Sequence, residues 1–131
     1  MNGLIAAGAA EIALGALLGF PYAAAIEGSD TSRRILERLR IKHTRRLRQL
    51  HLDLIIMGGL LVAAGAALPG MPLVAALAIG IGGWTNALLF APLMFDETQQ
   101  ERRWYRGVTA LSFVAVAGGW VAVAAYAISR V

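Results

Sequence analysis

The residue with the clearest chemical potential in this sequence is His51, which stands where a basic segment changes into a long apolar run. If that run is a helix, His51, Gly58 and Gly65 lie on one stripe, because seven residues make almost two turns. A neutral imidazole is a common ligand for the iron of a flat macrocycle, and glycines leave a bare strip of backbone for such a group to lie on. The alternative is that His51 is an interfacial polar residue and that the glycines serve helix packing.

The composition places these residues in a membrane protein. Of the 131 residues, 58% are hydrophobic, whereas an ordinary soluble domain has about 45–50%. So short a chain cannot hide this many apolar side chains from water in a core, but a bilayer accepts them on the outside of helices. The sequence has no cysteine, which excludes disulfides, iron–sulfur clusters and haem attached through thioether bonds.

Four apolar segments are each long enough to cross about 30 Å of hydrocarbon. They predict an all-α, integral membrane four-helix bundle in a single domain, residues 1–131, with spans at about residues 4–26, 50–68, 72–94 and 107–128. The short link Pro69–Pro72 makes the second and third spans antiparallel neighbours. In the first span, small residues and Glu11 recur at every fourth position, which predicts a face for close helix packing: Ala7, Glu11, Gly15 and Gly19.

Glu11 is the one charged residue of the first span. A buried carboxyl is costly in lipid, so Glu11 is a functional candidate by default. The alternative is a protonated Glu that forms a hydrogen bond with a neighbouring helix.

The segment between the first and second spans, residues 27–49, holds eight of the twelve Lys and Arg residues. Leucines and His43 recur in it at steps of three and four, which predicts a basic amphipathic helix with its N-cap at Ser29 and Asp30. The helix either lies on the membrane surface or continues into the second span. His43 falls on its apolar face, where we interpret it as a packed residue. Anionic lipid head groups explain the charge, so we expect membrane lipid and no nucleic acid as a partner.

The charges also predict the orientation. Eleven of the twelve basic residues lie in the connections after the first and third spans, so the positive-inside rule predicts a multi-pass inner-membrane protein with both termini outside the cytoplasm. His51, Met57 and Phe90 then lie near the cytoplasmic side, and Trp84 and Asn86 lie slightly deeper. At that depth Asn86 needs a hydrogen-bond partner. The polar and aromatic membrane residues thus gather in one layer, as in a binding site or in a packing cluster.

Two groups of residues resemble the styrene oxide isomerase family, small four-span membrane proteins that rearrange epoxides to aldehydes with ferric haem b. The first is His51 at the start of the second span, followed by Gly58 and by Leu68-Pro69. The second is Gly83-Trp84-Thr85-Asn86, which is similar to the family's Gly-Trp-Ala-Asn. The resemblance covers the second and third spans well, the first loosely and the fourth only in character.

The resemblance implies a homotrimer with haem b between subunits, His51 as the axial ligand of the iron, and a small apolar substrate. Gly58, Trp84 and Asn86 would then contact the cofactor. Haem propionates are anionic, so their partners are expected among the arginines beside His51. These arginines are Arg45, Arg46 and Arg48.

The chain departs from this family at the positions that would act on a substrate. Met57 stands where the family has Asn, Gly82 where it has Asp, and Phe90 where it has Tyr. The catalytic residues therefore stay unknown, with Met57, Asn86 and Phe90 as pocket candidates, and we expect styrene oxide isomerisation to be weak or absent. Two other functions stay open: a membrane haem protein with a redox, gas-sensing or haem-handling role, and a helical scaffold without a cofactor.

Overall fold

The computed structural model describes residues 2–130, which form helices and short turns without any strand. The elements in chain order are α1 (Asn2–Glu27), α2 (Asp30–Arg38), α3 (Thr44–Ala67), α4 (Leu73–Leu88), α5 (Phe90–Leu93), the 3₁₀ helix Glu97–Glu101 and α6 (Arg103–Ile128). Four stretches are long and apolar enough to cross a membrane: Gly3–Glu27, Thr44–Ala67, Leu73–Leu93 and Arg103–Ile128. The predicted all-α chain with four such helices is confirmed, although the second and fourth begin earlier than predicted.

The four long helices form two antiparallel pairs. α1 packs along α3, α4 packs along α6, and the two pairs meet where α3 lies against α4. Within the described residues, the backbone of α6 does not approach α1 or α3 closely, so the bundle is open on one side. We call the end where α1 ends and α3 begins the basic end, and the end with the α3–α4 link the Pro69 end.

Hydrogen bonds in the apolar layer hold the second pair together. Thr85 Oγ1 donates to Ser112 Oγ at 2.9 Å, and Ser112 Oγ donates to the carbonyl of Gly82 at 3.2 Å. Near the basic end, the Tyr105 hydroxyl donates to the carbonyl of Leu89 at 2.8 Å. Leu89 separates α4 from α5, so this bond supports the helix where its regular run is interrupted.

The basic segment is two helices, not the one that was predicted. The predicted N-cap is confirmed, because Ser29 Oγ accepts from the backbone N–H of Ser32 at 3.2 Å. α2 then ends at Arg38, and Arg40 has a φ of 57°, in the left-handed region that disfavours L residues. Two tertiary bonds offset that cost: the backbone N–H groups of Lys42 and His43 donate to the carbonyl of Met94 at 2.9 and 3.0 Å.

His43 is therefore not on the apolar face of a helix, which corrects the prediction. It is the N-cap residue of α3, and its Nδ1 lies 3.7 Å from Oε2 of Glu97 in the 3₁₀ helix. The turn before α3 aims its side chain at the polar connection, whereas a continuous helix would have aimed it at the core. Its place at the basic end separates it from His51 by two turns of α3.

Candidate functional site

His51 lies in the interface between α1 and α3, half-buried, with its ring against α1. Its Nδ1 is 2.7 Å from the carbonyl oxygen of Gly15. A carbonyl only accepts, so Nδ1 carries the proton and donates it. In the neutral imidazole Nε2 then carries the lone pair, and it forms no hydrogen bond within residues 2–130.

Two residues of α1 fix the position of the His51 ring. The ring of Tyr22 packs against it with the centroids 5.4 Å apart and the planes tilted by 34°. Gly19 lies beside its Cε1, where a Cβ would be at 3.4 Å, so the missing side chain leaves room for the ring. The imidazole is thus held by a hydrogen bond on one side and by an aromatic ring on another. These two contacts fix the direction in which Nε2 points.

A hollow of about 220 Å³ lies next to Tyr22, toward the basic end. Its lining residues come from the end of α1 and the start of α3: Tyr22, Ala25, Ile26, Thr44, Arg45 and Arg48. Arg48 is one helical turn from His51 on the same face of α3. The His51 ring does not line the hollow itself. Tyr22, which packs against that ring, connects the two, and the hollow adds an apolar wall and two guanidinium groups.

Arg46 does not belong to this hollow, although it was predicted with Arg45 and Arg48. Its Nε donates to Oε1 of Glu97 at 2.7 Å, and its Nη1 donates to Oε1 of Gln49 at 2.9 Å. The hydrogen bond from Arg46 lowers the pKa of Glu97 below its usual value. Because consecutive helical residues point about 100° apart, Arg46 faces the 3₁₀ helix and ties it to α3.

The glycine stripe of α3 is covered, which corrects the expectation of a bare strip. A Cβ at Gly58 would lie 2.6 Å from the carbonyl oxygen of Gly8, and one at Gly65 would lie 2.8 Å from Cγ1 of Ile5. α1 therefore fills the space where a flat ligand was expected. These glycines lie at the packing interface of α3 with α1, as the alternative interpretation predicted. Because α1 covers Gly58, this residue cannot contact a cofactor in this arrangement.

Among residues 2–130, none of the pocket candidates forms a hydrogen bond or an aromatic contact with the His51 ring. Trp84 lines a groove between α1 and α4 whose lining does not include His51. The Cε of Met57 lies 3.8 Å from a Cβ placed at Gly83, at the contact of α3 with α4. Phe90 packs into apolar clusters near the basic end. Asn86 is half-buried and has no hydrogen-bond partner among the described residues.

Glu11 is the most conspicuous polar residue inside the fold. Its side chain is fully buried, and neither carboxylate oxygen has a hydrogen-bond partner among residues 2–130. Its Cβ faces Gly58 of α3, and its Oε1 is 3.8 Å from a Cβ placed at Gly83 of α4. The small residues around it leave space for the carboxyl, but the expected hydrogen bond to a neighbouring helix is missing.

We expect Glu11→Leu to raise the midpoint of thermal unfolding in detergent, because an unsatisfied buried polar group costs about 1–3 kcal/mol. Glu37→Leu, at an exposed position of α2, is the matched control and should leave the midpoint nearly unchanged. A lower midpoint for Glu11→Leu would contradict this expectation and would mean that a bound water, ion or subunit satisfies the carboxyl.

Sequence reasoning missed Gly15 and Tyr22 as neighbours of His51. Gly15 was assigned to a packing face, but its contribution is a carbonyl oxygen, and any residue type has one. Tyr22 carries a signal that was available, since it is an aromatic residue near the end of the first span, at about the depth predicted for His51. The sequence did not say which helix packs on α1.

Comparison with known proteins found no relative of this chain. No family model, curated protein or solved structure matches the chain. A functional conclusion therefore depends on the residues around His51 and on their chemistry.

Proposed function

We propose that this chain is an integral membrane haem b protein whose iron is bound by Nε2 of His51. The observation that carries the proposal is the hydrogen bond from Nδ1–H to the carbonyl of Gly15. Histidines that bind metals usually donate their other ring N–H to such an acceptor, which fixes the tautomer and makes the ligating nitrogen more basic. In His51 this partner is in place, and the other nitrogen is left without one among the described residues.

The rest of the donor set also favours a macrocyclic metal complex over a bare metal ion. Within residues 2–130, no three His, Cys, Asp or Glu side chains lie close enough to hold an ion together. A porphyrin supplies four nitrogen ligands itself, so that one protein nitrogen is sufficient. The guanidinium groups of Arg45 and Arg48 border the adjacent hollow and suit two propionates.

The size of the hollow supports binding between subunits. At about 220 Å³ it is smaller than the usual small-molecule pocket, which measures about 300–1,000 Å³. One subunit thus supplies one wall, and the neighbouring surface of α3 carries exposed apolar residues, Leu52 and Ile56. We propose a homo-oligomer in which a second copy supplies the other wall, and the resemblance to styrene oxide isomerases favours a trimer.

We also propose that the basic end lies in the cytoplasm, with both termini outside and the protein in the inner membrane. The support is the charge asymmetry, since eleven of the twelve basic residues lie in the two connections at that end. The arginines outside the site, such as Arg33 and Arg34 of α2, would then contact anionic lipid head groups.

If the haem-loaded protein is an enzyme, the activity that we propose is isomerisation of an epoxide. Ferric haem held by His51 would supply a Lewis acid for an epoxide oxygen. Beside His51 the chain supplies the Tyr22 hydroxyl, and the adjacent hollow adds Thr44, Arg45 and Arg48 to the apolar Ala25 and Ile26. Met57 faces Gly83 of α4 and Phe90 packs on the cluster of Leu50, Leu54 and Ala87, so we propose that these pocket candidates and Asn86 reach the substrate from another subunit.

Haem titration of the purified protein tests the proposal. We expect the protein in mild detergent to bind about one haem b per subunit with a Soret absorption band, because each subunit has one His51 and one pair of bordering arginines. A protein that stays colourless and does not perturb added haem would contradict the proposal and favour a cofactor-free scaffold. Turnover of styrene oxide by the loaded protein separates an isomerase from a haem protein with another role.

A further inference from the structure

An apolar groove runs between α1 and α4, on a part of the molecule that the proposed function does not use. Its volume is about 550 Å³. It begins at the Pro69 end beside Gly3 and Gly70 and reaches Trp84 and Thr85 at its deep end. Gly65 and Gly80 are also in its lining, and the missing side chain of Gly80 helps to keep it open.

The length of the groove matches one leaflet of a bilayer. From Leu73 to Thr85 the wall formed by α4 is about 18 Å long at about 1.5 Å per residue, and half of the hydrocarbon thickness is about 15 Å. The rim residues Leu77 and Ile81 are 51% and 61% exposed, so the groove is open on the side that the bilayer covers.

The groove is a long slot about 18 Å in length along α4. A single hydrocarbon chain suits this shape, and the walls around it are mostly apolar.

A cation lies at the mouth of the groove. Arg130 is the one basic residue of the sequence outside the two connections at the basic end. Its Nη2 donates to the carbonyl of Pro69 at 3.2 Å, lies 4.0 Å from a Cβ placed at Gly70, and its guanidinium stacks 5.3 Å from the centre of the Tyr126 ring. These contacts hold the guanidinium beside a residue of the lining, with further N–H groups for an anion.

We propose that this groove binds one acyl chain of an anionic phospholipid, with the lipid phosphate at Arg130 and the end of the chain near Trp84. The apolar slot and the fixed cation at its mouth complement the two parts of that molecule. The slot's length matches a lipid of the leaflet on the Pro69 side, and the cation at its mouth distinguishes an anionic lipid from an apolar helix of a second copy. The site is separate from His51, so its test does not depend on haem.

Quenching of Trp84 fluorescence by brominated lipids tests the site. A protein with Trp104→Phe and Trp120→Phe keeps Trp84 as its single tryptophan. It is reconstituted in phosphatidylcholine bilayers that contain increasing fractions of acyl-brominated phosphatidylglycerol or acyl-brominated phosphatidylcholine. We expect the anionic lipid to reach half-maximal quenching at about one-fifth of the fraction that the zwitterionic lipid needs, the preference that one basic residue gives at a membrane surface.

Three variants of the single-tryptophan protein test whether the quenching of Trp84 comes from a lipid in the groove. Arg130→Gln should abolish the preference for the anionic lipid, and Gly80→Phe should reduce quenching by both lipids because the ring fills the slot. Gly118→Phe, at a position of α6 with no described atom within 4 Å of its Cβ, is the matched control and should behave like the parent. Arg130 lies at the surface, so its variant decides the question even if bulk at residue 80 disturbs folding.

Either of two results would overturn the proposal. One is equal quenching by the two lipids in the parent protein, which would mean bulk lipid contact without a site. The other is an intermolecular disulfide between Leu77→Cys chains in the bilayer, which would mean that a second copy covers the groove.

Discussion

His51→Ala is expected to abolish haem binding, with an affinity at least about 100-fold lower than that of the unchanged protein. Loss of an outer partner of a metal ligand already costs about 10–100-fold, and here the proposed ligand itself is removed. The only other histidine of the sequence is His43, at the N-cap position of α3 two turns nearer the basic end, with its side chain toward Glu97. No other imidazole therefore lies beside Gly15 and Tyr22, and the Soret band of the purified variant should disappear.

Two controls separate loss of the ligand from loss of the fold. His43→Ala should keep the haem content of the unchanged protein, because its side chain faces the polar connection. His51→Gly should regain a Soret band when imidazole is added, since the cleft beside Tyr22 stays in place to receive it. Unchanged haem content in His51→Ala would remove His51 from the site and, with it, the proposed function.

The sequence predicted part of this site because some of its signals are local. The change from basic to apolar residues at His51, and the arginines beside it, can be read without knowing any tertiary contact. The sequence does not show which of these arginines border the hollow. Arg46 does not, because it forms a hydrogen bond with Glu97, which is distant in the sequence. The carbonyl of Gly15 leaves no sequence signal at all.

The glycine stripe of α3 shows why spacing alone was ambiguous. The spacing of Gly58 and Gly65 indicates that something approaches α3 closely. A flat ligand and a second helix both fit this spacing. The complementary pattern was also visible, since α1 repeats small residues at every fourth position. Pairing the two patterns would have favoured α1 as the neighbour, which is what the structure has.

The four long helices were predictable because hydropathy and length decide them, whereas the break in the basic segment was not. That break depends on Arg40 in a left-handed conformation and on the carbonyl of Met94, which accepts from Lys42 and His43. Such a tertiary acceptor is invisible in the local pattern of leucines. The pairing of α1 with α3 and of α4 with α6, with one side of the bundle open, likewise depends on contacts between distant segments.

Gly58→Ala is expected to destabilise the protein by about 3 kcal/mol, at the upper end of the usual cost of overpacking. The added Cβ would lie 2.6 Å from the carbonyl oxygen of Gly8 and 2.9 Å from the Cβ of Glu11. One of these atoms is backbone, so α1 must move away from α3 as a whole. The measurement is the midpoint and free energy of unfolding in detergent, by heat or by denaturant.

The neighbouring residue offers a matched control for this change. Gly59 has no described atom within 4 Å of its Cβ position, so Gly59→Ala should stabilise α3 by up to about 1 kcal/mol through helix propensity alone. Separation of α1 from α3 would also weaken the bond between Gly15 and His51, so Gly58→Ala should lose haem affinity while Gly59→Ala keeps it. Equal stability of the two variants would contradict the close packing of α1 on α3, on which the position of the His51 ring depends.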